Sequence, residues 1–236
     1  MLTDILGTPV EWQVLKDKPR RRRTARASGP RGTAIVKWYA SERAPVVATR
    51  VTALCDGPSA PAIPAVLGCD PATHTLVLSD VAGAPFSSRL DAAADVGRAL
   101  GVWHRWWAGR APVSLQPHTA ERELEVLDDR LARAEPGPGR AAGAIRDRLA
   151  DISWSPATVV HRDLYEEQIM IGPVVGLIDL DDVAIGPPEL DLGNLLAHLD
   201  LLGRRGAVHV GPAVNELLDA YRTTGPVLDE GLLDAL

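Results

Sequence analysis

The sequence predicts an α+β fold in which a small antiparallel sheet precedes a mainly helical region. Three observations carry this. From Pro9 to Tyr39 short alternating segments are separated by turn residues. From Asp91 onward apolar residues recur at helical spacing, and two late β-branched runs, Ala157–Val160 and Val174–Ile178, are bounded by Pro and Gly. Strands grouped first and helices after them give segregated layers rather than an alternating parallel sheet.

Val10–Leu15 sets Val10, Trp12 and Val14 against Glu11 and Gln13, the pattern of a half-buried strand. Lys16–Pro19 reads as a turn, Arg21–Ala27 as a basic strand, Ser28–Gly32 as a second turn and Thr33–Tyr39 as a third strand. In that strand Lys37 shares a face with Ile35 and Tyr39, while Ala34, Val36 and Trp38 point the other way. Both faces are largely apolar, so the strand is predicted to be covered on each side. Glu42–Asp56 is a helix with Val47, Val51 and Leu54 on one face and Gly57-Pro58 as its stop. Thr75–Leu78 is a strand leading into Ser79–Pro85, and Asp91–Trp107 is a long helix with Val96, Leu100 and Trp103 in register. Thr119–Ala134 and Arg140–Ala150 are amphipathic and separated by a Pro/Gly breaker, Glu135–Gly139. Glu189–Leu202, Pro212–Thr223 and Val227–Leu236 complete the helices, the last with Leu228, Leu232, Leu233 and Leu236 as an apolar stripe.

Composition narrows the class. A chain of 236 residues with 46% hydrophobic and 24% charged residues is long enough for one sizeable domain or two small lobes around a cleft. A net charge of −6 argues against a general nucleic-acid binder and is compatible with a cationic substrate. Cys55 and Cys69 make no metal or redox motif, MLTDILGTPV has no basic n-region, and no stretch reaches membrane-spanning length. The expectation is a cytoplasmic protein with no membrane partner.

The two late runs each deliver carboxylates at their C-terminal ends: Asp163 after the first, Asp179 and Asp181 after the second. Such acids can bind a metal or move a proton. The order His161-x-Asp163, then Gln168, then a strand ending in Ile178-Asp179, then Asp191-Leu-Gly-Asn-Leu-Leu on a helix is specific in combination. It resembles the core of the aminoglycoside phosphotransferase and choline kinase group, and Lys37 in Ala34-Ile-Val-Lys resembles the lysine strand of kinases.

The resemblance implies a protein-kinase-like two-lobed fold, with residues 1–80 as a nucleotide-binding β lobe and 81–236 as a helical lobe carrying the catalytic loop and acceptor site. It implies ATP or GTP and Mg²⁺ as cofactors and a small metabolite or antibiotic hydroxyl as acceptor. Asp163 then takes the catalytic base role, and Gln168, Asp179 and Asp181 are metal ligands, with Asp181 equally readable as a structural carboxylate. Lys37, Arg20, Arg21 and the linker residues Asp80 and Val81 bind the nucleotide; the Arg20–Arg23 run reads equally as a solvated surface. His161 and Asp191 are structural under the resemblance, and His104 is a packed, hydrogen-bonded histidine.

Three departures stand out: no acid between positions 46 and 54 to pair with Lys37, no Gly in the Lys16–Arg23 turn, and Gln168 where the family carries Asn. Either Glu42 reaches Lys37, or a metal-site carboxylate replaces the helix acid, or the nucleotide is the lysine's only partner. The competing functional class is a kinase-fold binding protein without catalysis, and a third is a kinase for a peptide hydroxyl. A homodimer or protein partner that completes the acceptor side is a further expectation.

Overall fold

The computed structural model describes residues 1–133, 136–152, 154, 157–206 and 209–236, and these form two compact units. The first comprises Met1–Ala84 and Met170–Asp182, the second Pro85–Ile169 and Val183–Leu236. The stretch Met170–Asp182 therefore returns to the N-terminal unit.

In the first unit, strands β1 (Glu11–Lys18), β2 (Arg22–Gly29), β3 (Gly32–Tyr39), β4 (Val66–Asp70) and β5 (Thr75–Ser79) form an antiparallel sheet in the order β1-β2-β3-β5-β4. Its two faces are chemically distinct because side chains alternate. Ala27, Ala34, Val36 and Val77 pack with Leu6 of helix α1 (Leu2–Leu6) into a buried core flanked by Ile5, Val10 and Trp38. The register Arg22↔Tyr39, Thr24↔Lys37, Arg26↔Ile35 sets the polar side chains on the opposite face.

Strand β1 departs from the half-buried expectation. It is exposed along its whole length, and Trp12 stays 50% exposed although it lies 5.4 Å from the Trp38 ring. The alternation is present, but β1 is the sheet edge and among the described residues no element buries its apolar side; a register irregularity between Val14 and Lys16 and the charges at positions 16–18 protect the edge from further pairing. Helix α2 (Arg43–Ala53) buries Ala44, Val47 and Val51, the expected face, with Leu54 just beyond it. Helix α1 and strand β4 were not expected: each is only five residues long, too short to show a period.

The second unit is organised on helix α3 (Ala93–Trp107), which buries Val96, Leu100, Trp103 and Trp107. Trp103 Nε1 donates to the Val159 carbonyl at 3.0 Å, and Thr158 Oγ1 donates to the His104 carbonyl at 2.7 Å. These bonds fix the strand Thr158–Val160, which pairs antiparallel with Ala184–Gly186. Helix α4 (Ala120–Leu131) is capped by Thr119, and α5 spans Pro136–Ala150. Of the breaker expected at Glu135–Gly139, Glu135 lies outside the described residues, as does Ala134 before it. Pro136–Gly139 open α5 instead of interrupting it, since proline in a first turn has no needed N–H to lose.

Helices α6 (Glu189–Arg204), α7 (Gly211–Thr224) and α8 (Glu230–Ala235) follow. The terminal apolar stripe packs within its own unit: Leu232 and Leu233 are buried and Leu236 lies against Gly193 of α6. Helix α7 crosses α3 at Gly97, where a Cβ would stand 2.1 Å from the Leu217 carbonyl oxygen. Among the described residues no helix is long and apolar enough to cross a membrane.

Gly97→Ala is expected to destabilise the protein by about 1–3 kcal/mol, because a backbone carbonyl must move to admit the methyl. Gly143 of α5 has open space around it, and Gly143→Ala is expected to stabilise by about 0.5–1 kcal/mol through helix propensity. Denaturant unfolding of the two variants gives opposite signs if these packing differences hold.

Candidate active site

The polar face of the N-terminal sheet meets the acids of Met170–Asp182 within the first unit. Lys37, 4% exposed, places Nζ 2.7 Å from Asp179 Oδ1 and 2.6 Å from Asp181 Oδ1. Arg22 forks onto Asp179, with Nη1 to Oδ1 at 2.7 Å and Nη2 to Oδ2 at 2.8 Å, and its Nη1 also pairs with Asp181 Oδ2. Tyr39 donates its hydroxyl to Asp181 Oδ2 at 3.0 Å. All three donors come from one sheet face because Arg22 pairs with Tyr39 and Thr24 with Lys37 in the β2–β3 ladder.

Burial works to raise the Asp179 carboxyl, but the Lys37 charge and the Arg22 hydrogen bonds override it and hold the group well below the usual carboxylate range. For Arg22 burial disfavours the charge, and the Asp179 hydrogen bonds more than offset that. Burial and the Asp181 charge together push the Tyr39 phenol far up, so it serves as a neutral donor. Asp179 has a φ of 64°, a left-handed conformation that costs a non-glycine residue about 1–2 kcal/mol. It is kept there by three hydrogen bonds to its side chain.

Of the three possible partners for Lys37, the structure uses the carboxylates after the late strand. Glu42 is exposed at the N-cap of α2. The helix instead offers cations: Arg50 Nη1 donates to the Asp181 carbonyl at 2.9 Å, and Arg43 Nη2 to Asp182 Oδ1 at 2.8 Å. Arg20 and Arg21 are exposed in the β1–β2 turn, Arg20 with a φ of 60°. Asp80 receives Arg26 Nε at 2.9 Å, and Val81 packs against Gly176.

The residue the sequence reading missed is Arg22. It is expected within the basic strand Arg21–Ala27, and it opens β2, but the sequence reading treats it only as part of the Arg20–Arg23 run and does not separate it as a site residue. The alternation Arg22, Thr24, Arg26 against Ala25 and Ala27 is the signal that assigns it to the Lys37 face.

In the second unit Asp191, 1% exposed, clamps the loop that carries Asp163. Its Oδ2 accepts the His161 N–H at 2.8 Å and its Oδ1 accepts the Arg162 N–H at 2.8 Å. His104 Nε2 is 3.2 Å from the same carboxylate, and Tyr221 Oη is 2.9 Å from His104 Nδ1. Burial alone would raise the Asp191 carboxyl, yet the His104 hydrogen bond and the nearby histidines and N–H groups lower it overall. Arg162 has a φ of 72°, a strained conformation whose preceding peptide is held by the Asp191 carboxylate.

Asp163 itself is exposed, and Gln168 Nε2 donates to its Oδ2 at 3.3 Å. Gln168 is 2% exposed and its Oε1 is buried without a hydrogen-bond partner. A buried orphan oxygen of this kind suits a hard cation, and amide and carboxylate oxygens are the donors Mg²⁺ prefers. Among the described residues no cluster of three or more His, Cys, Asp or Glu side chains is arranged for a metal. The donor types therefore fit Mg²⁺ shared with substrate and water rather than an all-protein cage.

An antiparallel sheet with a buried lysine, followed by helices and an aspartate loop clamped by a buried carboxylate, defines the α+β architecture of the protein-kinase-like phosphotransferases. Residues 12–228 match the model of the phosphotransferase enzyme family (APH), and the chain belongs to that family. Among solved structures, the chain is similar to an aminoglycoside-3'-phosphotransferase of type VIII, with 21% identity, a TM-score of 0.71 and coverage of 99% of this chain and 97% of that one. It is also similar to aminoglycoside phosphotransferase APH(3'')-Id from Streptomyces rimosus, with 20% identity, a TM-score of 0.68 and coverage of 95% and 89%. A choline/ethanolamine kinase family protein from Mesorhizobium loti shares the fold at 20% identity and a TM-score of 0.61, over 92% of this chain and 71% of that one. No curated protein matches the chain by sequence.

The depressed carboxyls of Asp179 and Asp191 fix the sign of the acid response. Both fall below the ordinary value of 3.8, so the stability they confer is fully present above that value and is lost as pH falls through the folded values. Urea unfolding is expected to be insensitive to these groups from pH 7 to about 5 and to weaken steeply below about 4. Asp191→Asn should flatten the steep limb, and a limb of unchanged slope would count against the role of this carboxylate.

Proposed function

We propose that this phosphotransferase moves the γ-phosphate of ATP or GTP to a hydroxyl of a small molecule, with Mg²⁺ as cofactor. The observation that carries the reading is the pairing of buried Lys37 with Asp179, which unites a phosphate-directed cation and a metal-type carboxylate drawn from opposite ends of the chain. Several structures of similar fold were solved with relevant ligands, among them APH(3'')-Id with ADP and streptomycin and a spectinomycin phosphotransferase with ADP and spectinomycin. These support a nucleotide and a hydroxylated antibiotic-like acceptor as the first substrates to try.

In this reading Asp163 accepts the proton of the acceptor hydroxyl, whose oxygen forms the new bond to phosphorus as the bond to the departing nucleoside diphosphate breaks. The hydrogen bond from Gln168 orients the Asp163 carboxylate for that transfer. Lys37 carries phosphate charge, with Arg20 and Arg21 adding longer-range attraction and the backbone of Asp80 and Val81 available to a base edge. Asp179 and Gln168 are the proposed Mg²⁺ ligands, and the ion when bound neutralises phosphate charge. Gln168 fills the role with one methylene more than Asn.

Asp163→Asn is expected to bind Mg-nucleotide like the parent while turnover falls by about 10²–10⁴-fold. Asp179→Asn should lose metal-nucleotide affinity, and asparagine keeps the left-handed backbone that alanine would strain. Calorimetry with ATP and GTP, with product formation over a panel of hydroxylated amines and antibiotics, checks both. If both variants match the parent in binding and turnover, the assignment is wrong.

The double variant Arg20→Gln, Arg21→Gln should raise the nucleotide dissociation constant at low salt, with the difference shrinking as salt is added. An unchanged constant at low salt returns these arginines to the solvated surface.

A further inference from the structure

Helix α2 has no carboxylate between Arg43 and Ala53, so the lysine of this unit cannot be fixed by the helix acid that kinases use. Two acids remain within reach of Lys37, and their surroundings differ. The Asp179 side chain is 21% exposed and bonded only to cations. The Asp181 side chain is 5% exposed, its Oδ1 accepts from Lys37, and its Oδ2 takes Arg22 together with the neutral Tyr39 hydroxyl. Its main chain is held as well, because Arg50 of α2 donates to the Asp181 carbonyl at 2.9 Å and Arg43 pairs with Asp182 next to it. A carboxylate enclosed by two cations, a phenol and a tethered backbone is a fixed post rather than an exchangeable ligand position.

We propose that Asp181 is the positioning residue for Lys37, replacing the missing helix carboxylate, and that it is not a metal ligand. Asp179 is then left for the metal. The charges support this division. Arg22 and Lys37 balance Asp179 and Asp181, so when Asp179 turns to another cation, Asp181 still neutralises the buried lysine. Lys37 keeps its place whether or not metal is present. Helix α2 contributes through Arg50, which holds the post from behind by its main chain.

The proposal rests on reading Lys37 as a phosphate ligand, and its test is made without nucleotide so that the two can fail separately. The chain has only three lysines, and Lys16 and Lys18 are exposed on β1 as internal references. Acylation by an N-hydroxysuccinimide ester, read by peptide mass spectrometry, reports the freedom of the Lys37 amine. In the parent, Lys37 should label slowly relative to Lys16 and Lys18, and equally slowly with Mg²⁺ or with chelator. Asp181→Asn should raise the relative labelling of Lys37 by about tenfold or more. Adding Arg50→Glu to that variant, which returns a carboxylate to the helix side, should restore part of the protection; a merely structural Asp181 predicts no such rescue.

Labelling of Lys37 that is unchanged in Asp181→Asn, or that rises in the parent when Mg²⁺ is removed, overturns the proposal. So does a right-shifted Mg²⁺ dependence of nucleotide binding in Asp181→Asn, which would mark Asp181 as a metal ligand. If Asp181→Asn does not fold, Tyr39→Phe keeps every charge and deletes one hydrogen bond to Asp181. It should raise Lys37 labelling about threefold, and unchanged labelling there overturns the proposal equally. A parent with protected Lys37 but no phosphotransfer would sink the proposed function and leave the Asp181 role standing.

Discussion

The amine of Lys37 sits almost fully out of water in the middle of a sheet strand, and an ammonium stays in such a place only with an anion beside it. That requirement shapes the first unit. Removing one partner of a buried pair costs about 3–5 kcal/mol, whereas each surface pair is worth less than about 1 kcal/mol. Because Asp179 and Asp181 lie about 140 positions further along the chain, residues 1–84 on their own leave Lys37 and Arg22 without counter-charges. The unit closes only when Met170–Asp182 returns to it. The coupling runs both ways: the stretch that supplies the acids is anchored by the buried side chains of Val175, Leu177 and Leu180, and Asp179 keeps its left-handed backbone because cations grip its side chain.

The second unit solves the matching problem with dipoles. Asp191 is as deeply buried as Lys37, yet its oxygens face main-chain N–H groups and His104 rather than guanidinium or ammonium. Hydrogen bonds to a charged acceptor are worth about 1.5–3 kcal/mol each, enough to keep a desolvated carboxylate ionised. Fixed amides also impose geometry that a flexible cation would not. The two amides belong to His161 and Arg162, immediately before Asp163, so the clamp sets where the exposed aspartate begins. The Asn194 side chain adds a bond to the Leu164 carbonyl at 2.8 Å, and the loop is held on both sides of Asp163.

Much of this was legible in the sequence, for identifiable reasons. Lys37 and its neighbours Ala34 and Val36 follow period two, and the buried face of α2 follows 3.6, so both could be assigned from pattern alone. His161, Asp163, Gln168 and Asp191 were legible because their combined order and spacing resemble the core motif of the phosphotransferase family. What the sequence concealed was partnership across distance. Four consecutive arginines look alike, and only the β2–β3 register separates Arg22, which enters the acid cluster, from Arg20 and Arg21 at the turn. The exposure of β1 was hidden for a related reason: alternation states which side chains share a face, not whether anything covers it.

The glycine-free turn and the acid-free helix are best understood together. A glycine-rich loop brings backbone amides close to phosphate because nothing projects from it. Here Pro19 and Arg20 turn the chain, Arg20 adopting the positive φ usually left to glycine, and the residues at the tip carry long side chains. Under the proposed function, anion recognition on this face comes from cations rather than amides, and cations need acids to hold them in the absence of substrate. Asp179 and Asp181 provide that for Arg22 and Lys37, which leaves the cluster neutral. A helix carboxylate added to such a set would make it net negative and repel phosphate. Under the proposed function, the basic character of the α2 face toward Asp181 and Asp182 follows from the same balance: with the acids already supplied by the late strand, the helix stabilises them best by offering Arg43 and Arg50.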